Sequence, residues 1–192
     1  MFIETQATPN PNTIKFLPGR EVSPGRLLEF TDAAEAEARA PLAARLLAVP
    51  GVRAVFLGRD FVSVTKEEDA DWAALKAELL SRLVDHFLSG APVVLDSGET
   101  EAADSAAGGD GEDGETVRQI RAVLEEKVAP AVARDGGHIL FHSFEDGVVY
   151  LEMQGACAGC PSSVYTLKQG IENLLRYYVP EVREVRPVVG QQ

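Results

Sequence analysis

Val148-Val149-Tyr150-Leu151-Glu152-Met153-Gln154-Gly155-Ala156-Cys157-Ala158-Gly159-Cys160-Pro161-Ser162-Ser163-Val164 is the stretch that decides the fold of this chain. Its first residues alternate, with Val149, Leu151 and Met153 on one side and Glu152 and Gln154 on the other, the period of a half-buried strand. A helix follows. Val164, Leu167, Ile171, Leu174, Leu175 and Tyr178 recur at three- and four-residue steps, and Pro161 suits the first helical position, where a missing N–H costs nothing. Cys160 is then the N-cap, where unpaired amides and the positive end of the helix dipole stabilise a thiolate.

Cys157 and Cys160 are the only cysteines of the chain, so any thiol or soft-metal chemistry happens at this turn. The small residues Gly155, Ala156, Ala158 and Gly159 let backbone N–H groups approach whatever the sulfurs hold, cluster sulfide included. Two cysteines in 192 residues do not staple a scaffold, and in a reducing compartment their close spacing points to metal or redox work. A turn with two incidental cysteines is the bland alternative. His138 and His142 invite a Cys2His2 zinc reading. On a strand, however, residues four apart are separated by about 13 Å, so at most one of them could join the cysteines.

Outward from the turn, the second half reads α-β-β-α-β. A helix runs from Val117 to Val128, strands run from Ile139 to Phe144 and Val148 to Gln154 through Glu145-Asp146-Gly147, and a last strand runs from Val182 to Arg186. Gly170 interrupts the long helix at about 1 kcal/mol relative to alanine, which implies a close neighbour, either a strand or a partner subunit. The first half reads as a second α+β unit. Phe2 to Thr5 and Thr13 to Leu17 form a hairpin, Pro41 to Val49 a short helix, Val52 to Leu57 and Phe61 to Thr65 two more strands, and Asp71 to Leu88 an amphipathic helix. His86 on that helix has no other ligand type at chelating spacing and reads as structural.

The expected organisation is therefore two small α+β domains, residues 1–95 and 116–192, joined by residues 96–115. Eight acidic and no basic residues fall between Asp96 and Glu115, leaving only −4 of the net charge of −12 to the rest. With so few apolar side chains to offset ordering entropy, that segment is expected to be a disordered linker. No basic stripe is present to attract nucleic acid. No apolar run approaches the roughly 20 residues that span a bilayer. Met1-Phe2-Ile3-Glu4 lacks the character of a secretory or transit segment, so a cytoplasmic address is expected.

The run from Asp135 to Val185 resembles the C-terminal domain of the NifU family. Asp135-Gly136-Gly137, the cysteine turn with Pro161-Ser162-Ser163, Leu167-Lys168-Gln169-Gly170-Ile171-Glu172 and Tyr178-Val179-Pro180-Glu181-Val182 carry the likeness. His138 departs from it, standing where aspartate is expected. Thr8-Pro9-Asn10-Pro11-Asn12, Lys15-Phe16-Leu17-Pro18-Gly19 and Gly58-Arg59-Asp60-Phe61 resemble the N-terminal domain of the Nfu branch.

The resemblance implies a scaffold or carrier, not an enzyme, that accepts an iron-sulfur cluster from upstream assembly machinery and passes it to apo-proteins. The implied cluster is 4Fe-4S, with 2Fe-2S possible, and its ligands are Cys157 and Cys160. A 4Fe-4S cluster ordinarily takes four thiolates and one chain supplies two, so two copies meet at the turn, most simply about a two-fold axis. The competing class is a thiol-disulfide oxidoreductase with Cys157 attacking and Cys160 resolving. Against it, Pro161 follows the second cysteine and no thioredoxin-like β-α-β unit precedes the motif.

Overall fold

The computed structural model describes residues 2–24, 27–95, 112–157 and 161–188. The protein is mixed α+β and divides into two compact units, Met1–Ala102 and Ala103–Gln192. Residues 96–111, which include most of the expected acidic linker, lie outside the described residues.

In the first unit, β1 (Glu4–Ala7), β2 (Thr13–Leu17), β3 (Leu28–Phe30), β4 (Val52–Leu57) and β5 (Val62–Lys66) form an antiparallel sheet in the order β1-β2-β5-β4-β3. Helices α1 (Ala33–Arg39), α2 (Pro41–Leu47) and α3 (Trp72–Ser89) complete it. Asp71 caps α3 by accepting from the Ala73 amide, and Gly90 ends it in the left-handed conformation (φ 68°) that favours glycine. Leu75, Leu79, Leu83 and Phe87 bury one face of α3 in a core with Phe16, Phe30, Leu42, Leu46 and Leu57.

Two elements of this unit escape sequence patterning. Strand β3 is three residues long, too short for a period to show. Helix α1 buries only Ala36, so its alanine-glutamate run carries no apolar stripe. Helix propensity and a cap hold it instead, with the Asp32 carboxylate accepting from the amides of Ala34 and Glu35 at 2.6 and 3.2 Å.

In the second unit, α4 (Glu112–Val123), a wider π-helical segment (Leu124–Val128) and α5 (Ala129–Arg134) run in succession before β6 (Gly137–Glu145), β7 (Val148–Gly155), α6 (Pro161–Tyr178) and β8 (Glu184–Val188). The α-β-β-α-β order holds, but the leading helix is longer than expected. It starts at Glu112, inside the stretch read as linker, and continues to Arg134. The π segment stands immediately before Ala129-Pro130, where the proline ring and missing N–H disrupt the regular hydrogen-bond ladder.

Strands β6 and β7 pair antiparallel, β7 and β8 parallel. The β6–β7 loop is two residues, Asp146 and Gly147, both at positive φ (50° and 82°), the turn whose twist matches its strands. Strand β8 begins two residues later than expected because Val179 to Arg183 forms a turn: Val182 N–H donates to the Val179 carbonyl and Arg183 N–H to that of Gly147. Ile120, Val132, Val149, Leu151, Ile171, Leu175 and Val185 build the core of this unit. Within the described residues of this chain no strand supplies the close neighbour expected at Gly170, since a Cβ there would meet nothing within 4 Å. Among the described residues, no helix is long and apolar enough to cross a membrane.

Candidate functional site

The site begins where β7 runs out. Gly155, the last residue of the strand, has φ 67° and turns the chain out of the ladder, a conformation that L side chains resist. Gly136, at φ 80°, does the same ahead of β6. The register sets Gly137 opposite Gly155, and the Ala156 N–H donates to the Gly136 carbonyl at 3.2 Å. The Asp135-Gly136-Gly137 corner is thereby fastened to the cysteine turn.

Cys157 follows directly and points inward. It is 6% exposed and belongs to the core of the second unit, and Ala156 beside it is also buried. A Cβ on Gly137 would stand on the Cys157 sulfur itself, 3.1 Å from the Cys157 Cβ and 3.0 Å from the Gln154 carbonyl oxygen. Cys160, with Ala158 and Gly159, lies outside the described residues, and so does the reading of Cys160 as N-cap. Helix α6 does open at Pro161, immediately after it.

His138 and His142 both lie on β6. His138 is half-buried opposite Gln154, and burial holds its pKa below the ordinary 6.5. His142 is exposed, at an irregularity in the register between Phe141 and Ser143. His86, far along the first unit's own helix, is fully buried in that core and reads as structural. Among the described residues, no group of three or more His, Cys, Asp or Glu could hold a metal ion. A thiol at a strand end, three residues before a second thiol and a helix start, can act as a ligand or as half of a dithiol. Gly137 is the participant whose contact the sequence reading missed: two glycines ahead of a strand were visible, but not the sulfur they face.

Comparison with known proteins matches both halves. Residues 3–90 fit the family model described as scaffold protein Nfu/NifU N terminal, and residues 120–186 fit the NifU-like domain. A human relative, "NFU1 iron-sulfur cluster scaffold homolog, mitochondrial", is 45% identical over all of this chain and 74% of its own length. One of the same name from Drosophila persimilis is 45% identical over 98% of this chain and 65% of its own. A solution structure of a NifU-like protein from Saccharomyces cerevisiae is 28% identical, covering 50% of this chain and 86% of that one, at a TM-score of 0.43, too low to bear on the fold. Both named relatives are mitochondrial, which overturns the cytoplasmic address expected from the first residues. Addresses of that kind are carried by segments ahead of the folded units, and the chain spans only part of these longer relatives. The matches to both domain models, and 45% identity along the whole chain, establish that it belongs to the NFU1 family of iron-sulfur cluster scaffold proteins.

Proposed function

We propose that the chain carries a 4Fe-4S cluster as cargo on Cys157 and Cys160 of two copies and hands it to apo-proteins. One observation carries this reading: the chain has two cysteines in all, three residues apart, at the junction of β7 and α6. Four thiolates are the usual requirement of such a cluster, so a second copy completes the set. Family membership supports the scaffold role, and the cluster type, its ligands and the dimer are our reading.

The chain's own part in this chemistry is to supply thiolates and to exclude bulk around them. The residues from Gly155 to Gly159 carry nothing larger than a methyl group apart from Cys157 itself, so backbone amides can approach cluster sulfide. Transfer is ligand exchange, in which a recipient's thiolate replaces Cys157 or Cys160 on iron. It needs no general acid, base or nucleophile from the carrier.

Anaerobic reconstitution with iron and sulfide tests the proposal, read by absorption and Mössbauer spectra, iron content and mass in solution. We expect about two irons per chain, the share of a four-iron cluster held by two copies, with a dimeric holo-protein. Either Cys157→Ser or Cys160→Ser is expected to abolish binding. A stable cluster on a monomer, or on Cys157→Ser, sinks the reading, and rapid dithiol-disulfide turnover without iron uptake favours the oxidoreductase class instead.

A further inference from the structure

Gly137 is not glycine for the sake of its backbone. Gly136 and Gly155 on either side of the site have positive φ, whereas Gly137 is not among the residues that do. What demands the missing side chain is the Cys157 sulfur, which occupies the place of a Cβ. The contact is held from both sides, by the pairing of Gly137 with Gly155 and by the hydrogen bond from Ala156 to Gly136.

We infer that Gly137 is a positioning residue that gives the Cys157 thiol a seat inside its own domain when no cluster is carried, and that this seat favours release of the cargo. The inference rests on the proposal that Cys157 is a ligand. A ligand to a cluster shared between copies has to face the partner, and a cysteine 6% exposed, packed in its own core, does not. Loading must therefore draw Cys157 out, and release lets it return.

On transfer, the bond between iron and Cys157 Sγ breaks as the recipient's thiolate takes that coordination position. The freed thiolate accepts a proton from water and withdraws as a neutral thiol, the form that an apolar core accommodates. The oxidation state of the cluster does not change. Whatever stabilises the seated thiol stabilises only the cluster-free state, so by linkage it weakens retention by the same factor. A carrier has use for that bias.

The test uses the full chain. In the cluster-free Cys160→Ser variant, iodoacetamide should alkylate Cys157 at least about tenfold more slowly than in denaturant, because a buried group reacts only through opening. Equal rates overturn the inference whether or not any Gly137 variant folds. Adding Gly137→Ala should raise the native rate several-fold. With both cysteines present, reconstituted Gly137→Ala should surrender its cluster to an iron chelator several-fold more slowly than the natural sequence. Equal or faster loss overturns the seat. Val132→Ala, which opens the same core at another residue, controls for general loosening, and matching its effects also overturns it. Failure of the natural chain to take up any cluster would instead reject the proposed function, and the alkylation rates would still judge the seat.

Discussion

The Val185 N–H donates to the Glu172 carboxylate at 3.1 Å, tying strand β8 to the middle of the helix that leads away from the cysteine turn. Val185 is fully buried, and Glu172 keeps only 17% of its side chain exposed. Glu172 also pairs with Arg176 at 3.0 Å, and the Arg176 guanidinium donates to the Arg183 carbonyl. One carboxylate thus organises the return from helix to strand. Glu172→Ala leaves a buried amide without this acceptor and should cost about 1–3 kcal/mol in the second unit. Glu172→Gln keeps an acceptor and should cost less, as read by urea denaturation followed by circular dichroism.

His86 should make the first unit acid-sensitive. It is fully buried, and neither ring nitrogen makes a hydrogen bond of ordinary geometry. Burial, and then the charge of Arg45, lower its pKa from 6.5, with the Pro92 backbone opposing them. Because the folded pKa is depressed, the unfolded chain binds the proton first. The contribution is complete above the unfolded value and is lost as pH falls below it toward the folded one. Trp72, the sole tryptophan, reports this unit by fluorescence. Its melting temperature should drop as pH falls from neutral to below 6.5, and His86→Leu should flatten the drop; a pH-independent natural chain would refute this.

Trp72 also secures the Thr8-Pro9-Asn10-Pro11-Asn12 loop, its indole Nε1 donating to the Pro11 carbonyl at 3.0 Å. Within the loop, Asn10 Oδ1 accepts from the Asn12 amide at 2.9 Å. Trp72→Phe keeps an aromatic ring and loses the donor, so stability should fall by about 0.5–1.5 kcal/mol, the net worth of one hydrogen bond. Amide exchange at Asn12 and Thr13 should quicken; unchanged exchange would show that the loop holds itself.

Gly147 should resist substitution for two separate reasons. Its φ of 82° disfavours L side chains, and a Cβ there would lie 3.0 Å from the Arg183 side chain and from the Glu181 carbonyl. Gly147→Ala should cost about 1–2 kcal/mol from the left-handed conformation alone, with Asp146→Gly, at a residue with φ 50°, nearly neutral by the same measurement.

Selectivity among recipients should reside in the first unit, since both soft ligands of the chain belong to the second. Transfer from residues 103–192 and from the full chain to several apo-enzymes can be compared. A shorter piece starting at 116 would cut into α4, which begins at Glu112. We expect the shortened chain to be slower toward some recipients only; equal rates toward all would reject a targeting role.

Residue pattern alone determined the class and the order of nearly every element, and it singled out the turn on which the proposed function rests. Alternation to Gln154, three- and four-residue apolar steps after Pro161 and two cysteines between them are local facts, and β7 and α6 lie where those periods put them. Strand β3 and helix α1 were illegible because neither carries an apolar period, the one through brevity and the other because its cap and propensity replace burial. The extra turns of the leading helix were hidden behind acidic residues whose composition argues for a linker, and behind Pro130, which a π segment accommodates. Only the tertiary structure decided that Gly137, twenty residues before Cys157, holds room for its sulfur. Helical and strand periods record which face of one element is apolar, but a contact across a hairpin depends on register. Register is set by the Asp146-Gly147 turn and the pairing of both strands together.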